Sequence, residues 1–493
     1  MGSGGKSLRI GGLALTAVAA VAAFVLPGPA AAHSVPLTGK VFTYLGRAFT
    51  VPGSWQIIDL TAHPTACVRF DVHAVYLGRP GTEQQCPARG AGRRTGALLI
   101  QPDLTRASDN AIIALDHRIS GEIDVTAPGF TVTASYGDDD RSTVLDALTA
   151  SGLPQPTPLM LAVPLPDAPA PAAGHGTVPV EIVQGTTMVT GLGFDTCTAP
   201  SAGQMQAWSA SPFNTVGIYL GGSERACAQP NLTSGWIAAR AATGWHFMPL
   251  YVGWQAAWDS LTATAPATLG RQSADDAVAR AQSLGFGVGA LLYYDMESYK
   301  TTAQSNAAMA FLSAWSAELH ARGYRSAVYS SASTGIADLV AHRGKMTEPD
   351  VVDIAHWNNV ADPDLGATPA GIWPLQRAHQ YIGNLDATYG GTKMNIDKDY
   401  MSISLPSCGS TPTPTPTPPT PTPSHSASPT PSPSASPTPT LKPGPTPSTA
   451  PTATRSPAAP SAPTPSAVIA PTPANPTGFP ESPGPASNRL AAC

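Results

Sequence analysis

Two rhythms of apolar and polar residues divide the chain. From about Pro36 to Asp146, short apolar runs alternate with turn residues, at Lys40–Tyr44, Trp55–Leu60, Asp71–Leu77 and Ala97–Ile100. This alternation predicts a small β-rich domain over 36–146, with one helix near Ala107–Leu115. From Thr187 to Leu405, strand-length apolar runs are instead separated by stretches of helical spacing. The strand candidates are Thr190–Phe194, Thr215–Leu220, Phe247–Val252, Ala290–Tyr294, Arg325–Tyr329, Val352–Trp357, Ala378–Ile382 and Asn395–Tyr400. Between them, segments such as Ala274–Ala281 and Ala307–Arg322 read as helices. Strand and helix alternating over roughly 200–250 residues predict an α/β fold, a (β/α)8 barrel of the TIM type over 187–405. In that fold the functional residues sit at the C-terminal ends of the strands.

The flanking segments differ in kind. Lys6 and Arg9, an apolar run from Ile10 to about Leu26 and small residues up to Ala32 have the order of a secretory signal over 1–32, cleaved before His33. Residues 151–176 are rich in Pro, Ala and Gly and read as a linker. Residues 410–493 are Thr-Pro and Ser-Pro repeats, a low-complexity tail with too little apolar surface to fold. A net charge of −5 with scattered Lys and Arg offers no basic field for nucleic acid. After signal cleavage no stretch is long and apolar enough for a membrane span. Six cysteines fit an oxidising compartment, and Cys67 with Cys86 and Cys197 with Cys227 form two sequence-local pairs. Cys408 and Cys493 make a third, weaker pairing. No C-x-x-C spacing is present, and His63, His73 and His117 are not spaced with carboxylates or cysteines as a metal site needs, so neither metal nor cofactor is expected.

The chemistry concentrates where the apolar run Leu291-Leu292-Tyr293-Tyr294 ends in Asp295-Met296-Glu297. Side chains two apart on a strand share a face, with Cα atoms roughly 6–7 Å apart. Two carboxyl groups sharing a partly dry site resist ionising together, so one should hold its proton, and such a pair suits glycosidic bond cleavage. The plainer alternative makes Glu297 the first solvated residue after the strand and Asp295 a helix cap. Asp195 follows the first strand candidate, and Asp397 and Asp399 lie in the last, so all of these acids fall at one predicted barrel face.

Gly191-Leu192-Gly193-Phe194-Asp195-Thr196-Cys197, Gly217-Ile218-Tyr219-Leu220-Gly221-Gly222, Tyr293-Tyr294-Asp295-Met296-Glu297 and Asn395-Ile396-Asp397-Lys398-Asp399-Tyr400 together resemble the domain of unknown function 1906 family, a glycoside-hydrolase-like barrel of secreted proteins. The same order of segments is remotely similar to the glycoside hydrolase family 25 lysozymes. The resemblance implies that Glu297 protonates the leaving oxygen, that Asp295 orients the substrate or stabilises the positive sugar centre, and that Asp195 and Asp397 line the pocket. Phe194-Asp195-Thr196-Cys197 departs from the Asp-Val-Ser of the lysozymes, which puts the groove shape in question. Trp254, Trp258, Tyr329, Trp357 and Tyr381 are candidates for stacking on sugar faces, with core packing as the equal alternative, and His356 and Gln380 are candidates for hydroxyl contacts. The expected function is a secreted or cell-wall-associated hydrolase acting on a peptidoglycan-type amino-sugar glycan. A catalytically silent barrel that binds wall glycan is the alternative.

Overall fold

The computed structural model describes residues 39–103, 111–159, 188–261, 264–364, 366, 368–369 and 371–405. The signal segment 1–32, most of the linker 151–176, Cys408 and the tail 410–493 with Cys493 lie outside the described residues.

The N-terminal part opens on a hairpin of β1 (Gly39–Tyr44) and β2 (Arg47–Pro52). It continues with β3 (Gln56–Asp59), β4 (Ala74–Leu77), β5 (Ala97–Asp103), β6 (Ile113–His117), β7 (Glu122–Ala127), β8 (Gly129–Ser135) and β9 (Thr157–Pro158). These form one mixed seven-stranded sheet in the order β3-β4-β5-β8-β7-β6-β9. Alternate residues of β7 and β8 are buried, and Val125 and Val132 pack with Trp55, Ile100 and with Val144, Ala147 and Leu148 of helix α1 (Arg141–Ala150). The helix expected near Ala107–Leu115 is not there in its second half: Ile113–Leu115 belongs to β6, paired with β7, and the apolar alternation of a half-buried strand wins over helical spacing.

The second part is a closed barrel of β10 (Met188–Asp195), β11 (Phe213–Gly221), β12 (His246–Tyr251), β13 (Leu291–Met296), β14 (Arg325–Ser331), β15 (Val351–Ala355), β16 (Gln376–Tyr389) and β17 (Thr392–Ser404), joined in sequence order. It is not the (β/α)8 TIM-type barrel that the alternation predicts. Strands β10 to β16 run parallel, but β17 runs antiparallel to both β16 and β10, which makes the barrel mixed. Among the described residues, five helices connect its strands: α2 (Ala202–Trp208), α3 (Ser234–Ala241), α4 (Pro266–Ser283), α5 (Thr302–Ala321) and α6 (Gly335–Ala341). The physical reason lies in the last connections. Gly390 and Gly391, with φ of +56° and +79°, turn β16 into β17 within two residues, leaving no room for a crossover helix. Pro363, Pro369 and Pro374 interrupt the connection before β16.

Side-chain alternation sorts the barrel into an outer and an inner core. On β13, Leu292, Tyr294 and Met296 face outward into a cluster with Phe311, Leu312 and Trp315 of α5. Leu291 and Tyr293 face inward, with Leu250, Ala327, Val351, Met401 and Ile403. Asp295 follows on the inward face.

The two parts share a joint. The Cys67–Cys86 and Cys197–Cys227 disulfides are both formed, and Sγ of Cys67 lies 3.7 Å from Sγ of Cys227. The barrel segment 224–228 hydrogen-bonds along the N-terminal part, from Phe70 N to Ala226 O at 2.7 Å, Ala226 N to Gly90 O at 2.8 Å and Gly92 N to Glu224 O at 2.9 Å. Burial pushes Glu122 up, but Arg94, Arg225 and Arg280 outweigh it and bring the carboxyl down to about 2.

Candidate active site at the barrel mouth

The parallel strands end at one face, and the inward acids collect there. Asp195 closes β10 and pairs in register with Asp397 on the antiparallel β17. Asp295 on β13 is level with Tyr329 on β14. All three aspartates are buried, whereas Glu297, one step beyond the end of β13, keeps part of its side chain in solvent. It borders a cleft of about 560 Å³ with Ser298, Tyr329, Ser331, His356 and Trp357.

A hydrogen-bonded frame fixes the aspartates. The Tyr219 hydroxyl donates to Asp195 Oδ1 at 2.9 Å, and Gln380 Nε2 donates to Asp195 Oδ2 at 3.0 Å and to Asp397 Oδ2 at 3.5 Å. Oε1 of Gln380 accepts from the Tyr329 hydroxyl at 3.0 Å and from Trp357 Nε1 at 2.9 Å. With both ends of its amide engaged, Gln380 ties Asp195 and Asp397 to Tyr329 and Trp357. Gln255 does the same for the acid pair: Nε2 donates to Asp295 O at 2.7 Å, and Oε1 accepts from Glu297 N at 2.8 Å.

Burial sets the protonation of this cluster. It pushes Asp195 up to about 6 against the opposing bonds from Tyr219 and Gln380. Burial and the charge of Asp195 push Asp397 up to about 8. Asp295 is raised well above the usual carboxyl range by burial, then by Glu297 and Asp195. The proton-holding member expected from the sequence was Glu297; the upward shift falls on Asp295. Because β17 runs antiparallel, Asp399 lies deeper than Asp397, level with Gly193. There Asp399 and Asp353 are raised by burial first and by Asp195 next. Neither carboxyl has a hydrogen-bond partner among the described residues, and the same is true of the Tyr293 hydroxyl.

Tyr219 is a direct handle on this electrostatics. Its bond favours ionised Asp195, so Tyr219→Phe is expected to move the Asp195 titration upward from about 6. A carbon-detected NMR titration reads the shift without reference to activity. A titration that stays in place or moves downward contradicts the assignment.

The aromatic candidates separate. Trp357 is 61% exposed, with its indole lying on Gly383, where a Cβ would meet the ring at 2.3 Å. Held at its edge by Gln380, it presents a fixed flat face to the cleft. Tyr329 lines the same cleft. Trp254 does not: it is buried in the outer core, stacked on Phe311 at 5.3 Å, because its strand end turns toward α5. Tyr381 is buried beside His379, and Trp258 lies near Glu224 on the joint side, away from the cleft. His356 borders the cleft with Nδ1 2.8 Å from Asp364 Oδ2. His356, Asp364 and His379 lie close enough together to suggest a metal. Both ring nitrogens of His379, however, face backbone oxygens, Asp362 O at 2.9 Å and His356 O at 2.8 Å, so the group reads as a latch on the loop before β16.

Sequence reasoning did not pick out Gln255 or Arg89. Arg89 comes from the N-terminal part, and its Nη2 lies 3.2 Å from Glu297 Oε1. No local pattern announces either residue, since each meets the acids only through the fold. Tyr219 lies inside a quoted motif, in alternation with the outward Ile218 and Leu220.

Residues 206–401 match the family model described as Rv2525c-like, glycoside hydrolase-like domain. The chain is thus similar to a glycoside-hydrolase-like family over a span that holds Asp295, Glu297 and Asp397 and stops short of Asp195. No curated protein matches it. An uncharacterized protein of B. stearothermophilus is 18% identical, with 43% of this chain and 95% of that chain covered and a TM-score of 0.30. The Tat-secreted protein Rv2525c of Mycobacterium tuberculosis, in complex with L-tartrate, is 14% identical, with 43% and 94% covered and a TM-score of 0.31. The modular autolysin LytC of Streptococcus pneumoniae is 13% identical, with 43% and 46% covered and a TM-score of 0.30. This chain therefore spans about half the length of LytC.

Proposed function

We propose that the chain is a secreted glycoside hydrolase that cuts a peptidoglycan-type amino-sugar glycan by carboxyl acid catalysis. The observation that carries the reading is the convergence of Asp195, Asp295, Glu297 and Asp397 at one end of the barrel, with Glu297 bordering an open cleft beside the exposed indole of Trp357. The family match over residues 206–401 supports the same class of chemistry, and the resemblance of the acid motifs to family 25 lysozymes supports the glycan. Two disulfides support an oxidising compartment. Among the described residues, no helix is long and apolar enough to cross a membrane.

In this reading Glu297 gives its proton to the leaving oxygen as the glycosidic C–O bond breaks. Asp295, buried behind it and holding its proton, orients the sugar through a hydrogen bond. Water supplies the hydroxyl to the anomeric carbon and a proton back to Glu297. Trp357 offers a face for the sugar C–H groups, and Asp195 and Asp397 line the pocket. The alternative, a silent barrel that binds wall glycan, draws on the same exposed indole. A suspension of purified peptidoglycan separates the two: the hydrolase clears it, whereas sedimentation of the protein with an unchanged suspension between pH 4 and 8 leaves only binding.

A further inference from the structure

The segment Cys86–Gly92 belongs to the N-terminal part, yet it forms a wall of the barrel mouth. It is pinned at several points. The Cys67–Cys86 bridge holds one end. Ala88 N donates to Asn395 Oδ1 at 2.7 Å, on the strand that carries Asp397. Gly90 lies against the ring of Tyr219 so closely that a Cβ would meet it at 2.2 Å, and Ala91 pairs with Arg225. Only glycine permits that approach.

Arg89 stands between these fixed points. Its backbone is held on both sides, and its side chain reaches Glu297 through one nitrogen at 3.2 Å while remaining 61% exposed. Its charge also acts on Asp295 and Asp397, in both cases favouring ionisation. Protonating a glycosidic oxygen needs a carboxyl group and not a guanidinium. A rigidly mounted arginine with one nitrogen engaged and the rest of its donor fork exposed is instead suited to a planar carboxylate, which it grips through two parallel hydrogen bonds. Its partner Glu297 borders the cleft at Trp357, and Cys86 and Pro87, just before it in the same segment, line a groove of about 650 Å³ with Gln84, Asn384, Thr392 and Asn395.

We propose that Arg89 is a specificity-determining residue supplied by the N-terminal part: it receives a carboxylate carried by the glycan next to the bond at Glu297. The substrate class is accordingly an acidic amino-sugar glycan, and the N-terminal part completes the site rather than accompanying it. This rests on the reading of the barrel mouth as a glycan site. The carboxylate has two sources, an acid group on the sugar itself or one on an attached peptide.

The test uses the full chain and three probes: peptide-stripped wall glycan, intact peptide-bearing wall glycan and a neutral N-acetylglucosamine oligomer. Affinity is measured by calorimetry, and cleavage in parallel. The wild type is expected to prefer a carboxylate-bearing glycan over the neutral oligomer by about tenfold or more, the effect of one charge-assisted hydrogen bond. Arg89→Gln collapses that ratio toward one, and Arg89→Lys restores part of it. Preference already present with the stripped glycan places the carboxylate on the sugar; preference confined to the intact glycan places it on the peptide. Equal affinity of the wild type for acidic and neutral glycans, or a ratio unchanged in Arg89→Gln, overturns the proposal. A wild type that discriminates through Arg89 but cleaves none of the probes sinks the hydrolase reading and leaves this one standing. Cleavage indifferent to the carboxylate does the reverse.

Discussion

Glu297→Gln is expected to lower turnover of a peptidoglycan-type glycan by about 10²–10⁴-fold while leaving glycan affinity nearly intact. The substitution keeps the shape of the side chain and removes the proton it would donate. Gln255 still holds the backbone of residue 297, because that bond runs to the main-chain amide. The Trp357 platform and the Gln380 frame do not touch the Glu297 side chain, so the cleft should bind sugar as before. Steady-state kinetics with separate binding measurements check this. Equal losses of affinity and turnover would mean that Glu297 is a binding group and that the acid lies elsewhere in the cluster.

Stability should fall as pH rises, by several kcal/mol between about pH 4 and pH 9, since each unit by which a carboxyl pKa is raised is worth about 1.4 kcal/mol. An aspartate in the unfolded chain releases its proton at about 4. In the fold, burial holds that proton on Asp195 to about 6, on Asp259 to about 7 and on Asp397 to about 8. Glu224 keeps its proton to about 9, through burial and the neighbouring Asp259. Over this window the folded state binds more protons than the unfolded state, so the contribution is complete below about pH 4 and is lost step by step as pH climbs through these values. Glu122 works in the opposite sense, and only below its unfolded pKa, because its folded value is brought down to about 2. Denaturant unfolding at a series of pH values reads the slope, and Asp397→Asn should flatten its upper part. A stability that is level or rising from pH 5 to pH 8 would contradict a buried, protonated acid cluster.

The legible part of the fold was the location of its strands. Each of the eight apolar runs between Thr190 and Tyr400 overlaps one barrel strand, because a strand buried on both faces leaves a dense apolar signature. Their directions carry no such signature. The pair Gly390-Gly391 between two strand-like runs is a hairpin signal in its own right, and weighing it would have predicted an antiparallel last strand. The alternation of strands and helices before it points instead to a parallel last strand. In the site, the shared face of Asp295 and Glu297 followed from the two-residue period of a strand. The partition of their environment did not, since it depends on Arg89, Gln255 and Tyr219, which approach from other parts of the chain. Trp254 and Trp357 both stand just past strand ends, yet one is buried at 8% exposure and the other open at 61%. What distinguishes them is α5 over the first and Gly383 beneath the second, and neither is a property of the local sequence.

The most direct measurement is the chemical identity of the ends produced when wild-type protein is incubated with purified peptidoglycan, read by borohydride reduction and mass analysis of the soluble fragments. The account predicts fragments with new reducing sugar ends, and their disappearance with Glu297→Gln. Wild-type protein that binds the glycan tightly and releases no reducing ends from any amino-sugar polymer would contradict it, leaving the acid-lined barrel mouth as a binding site alone.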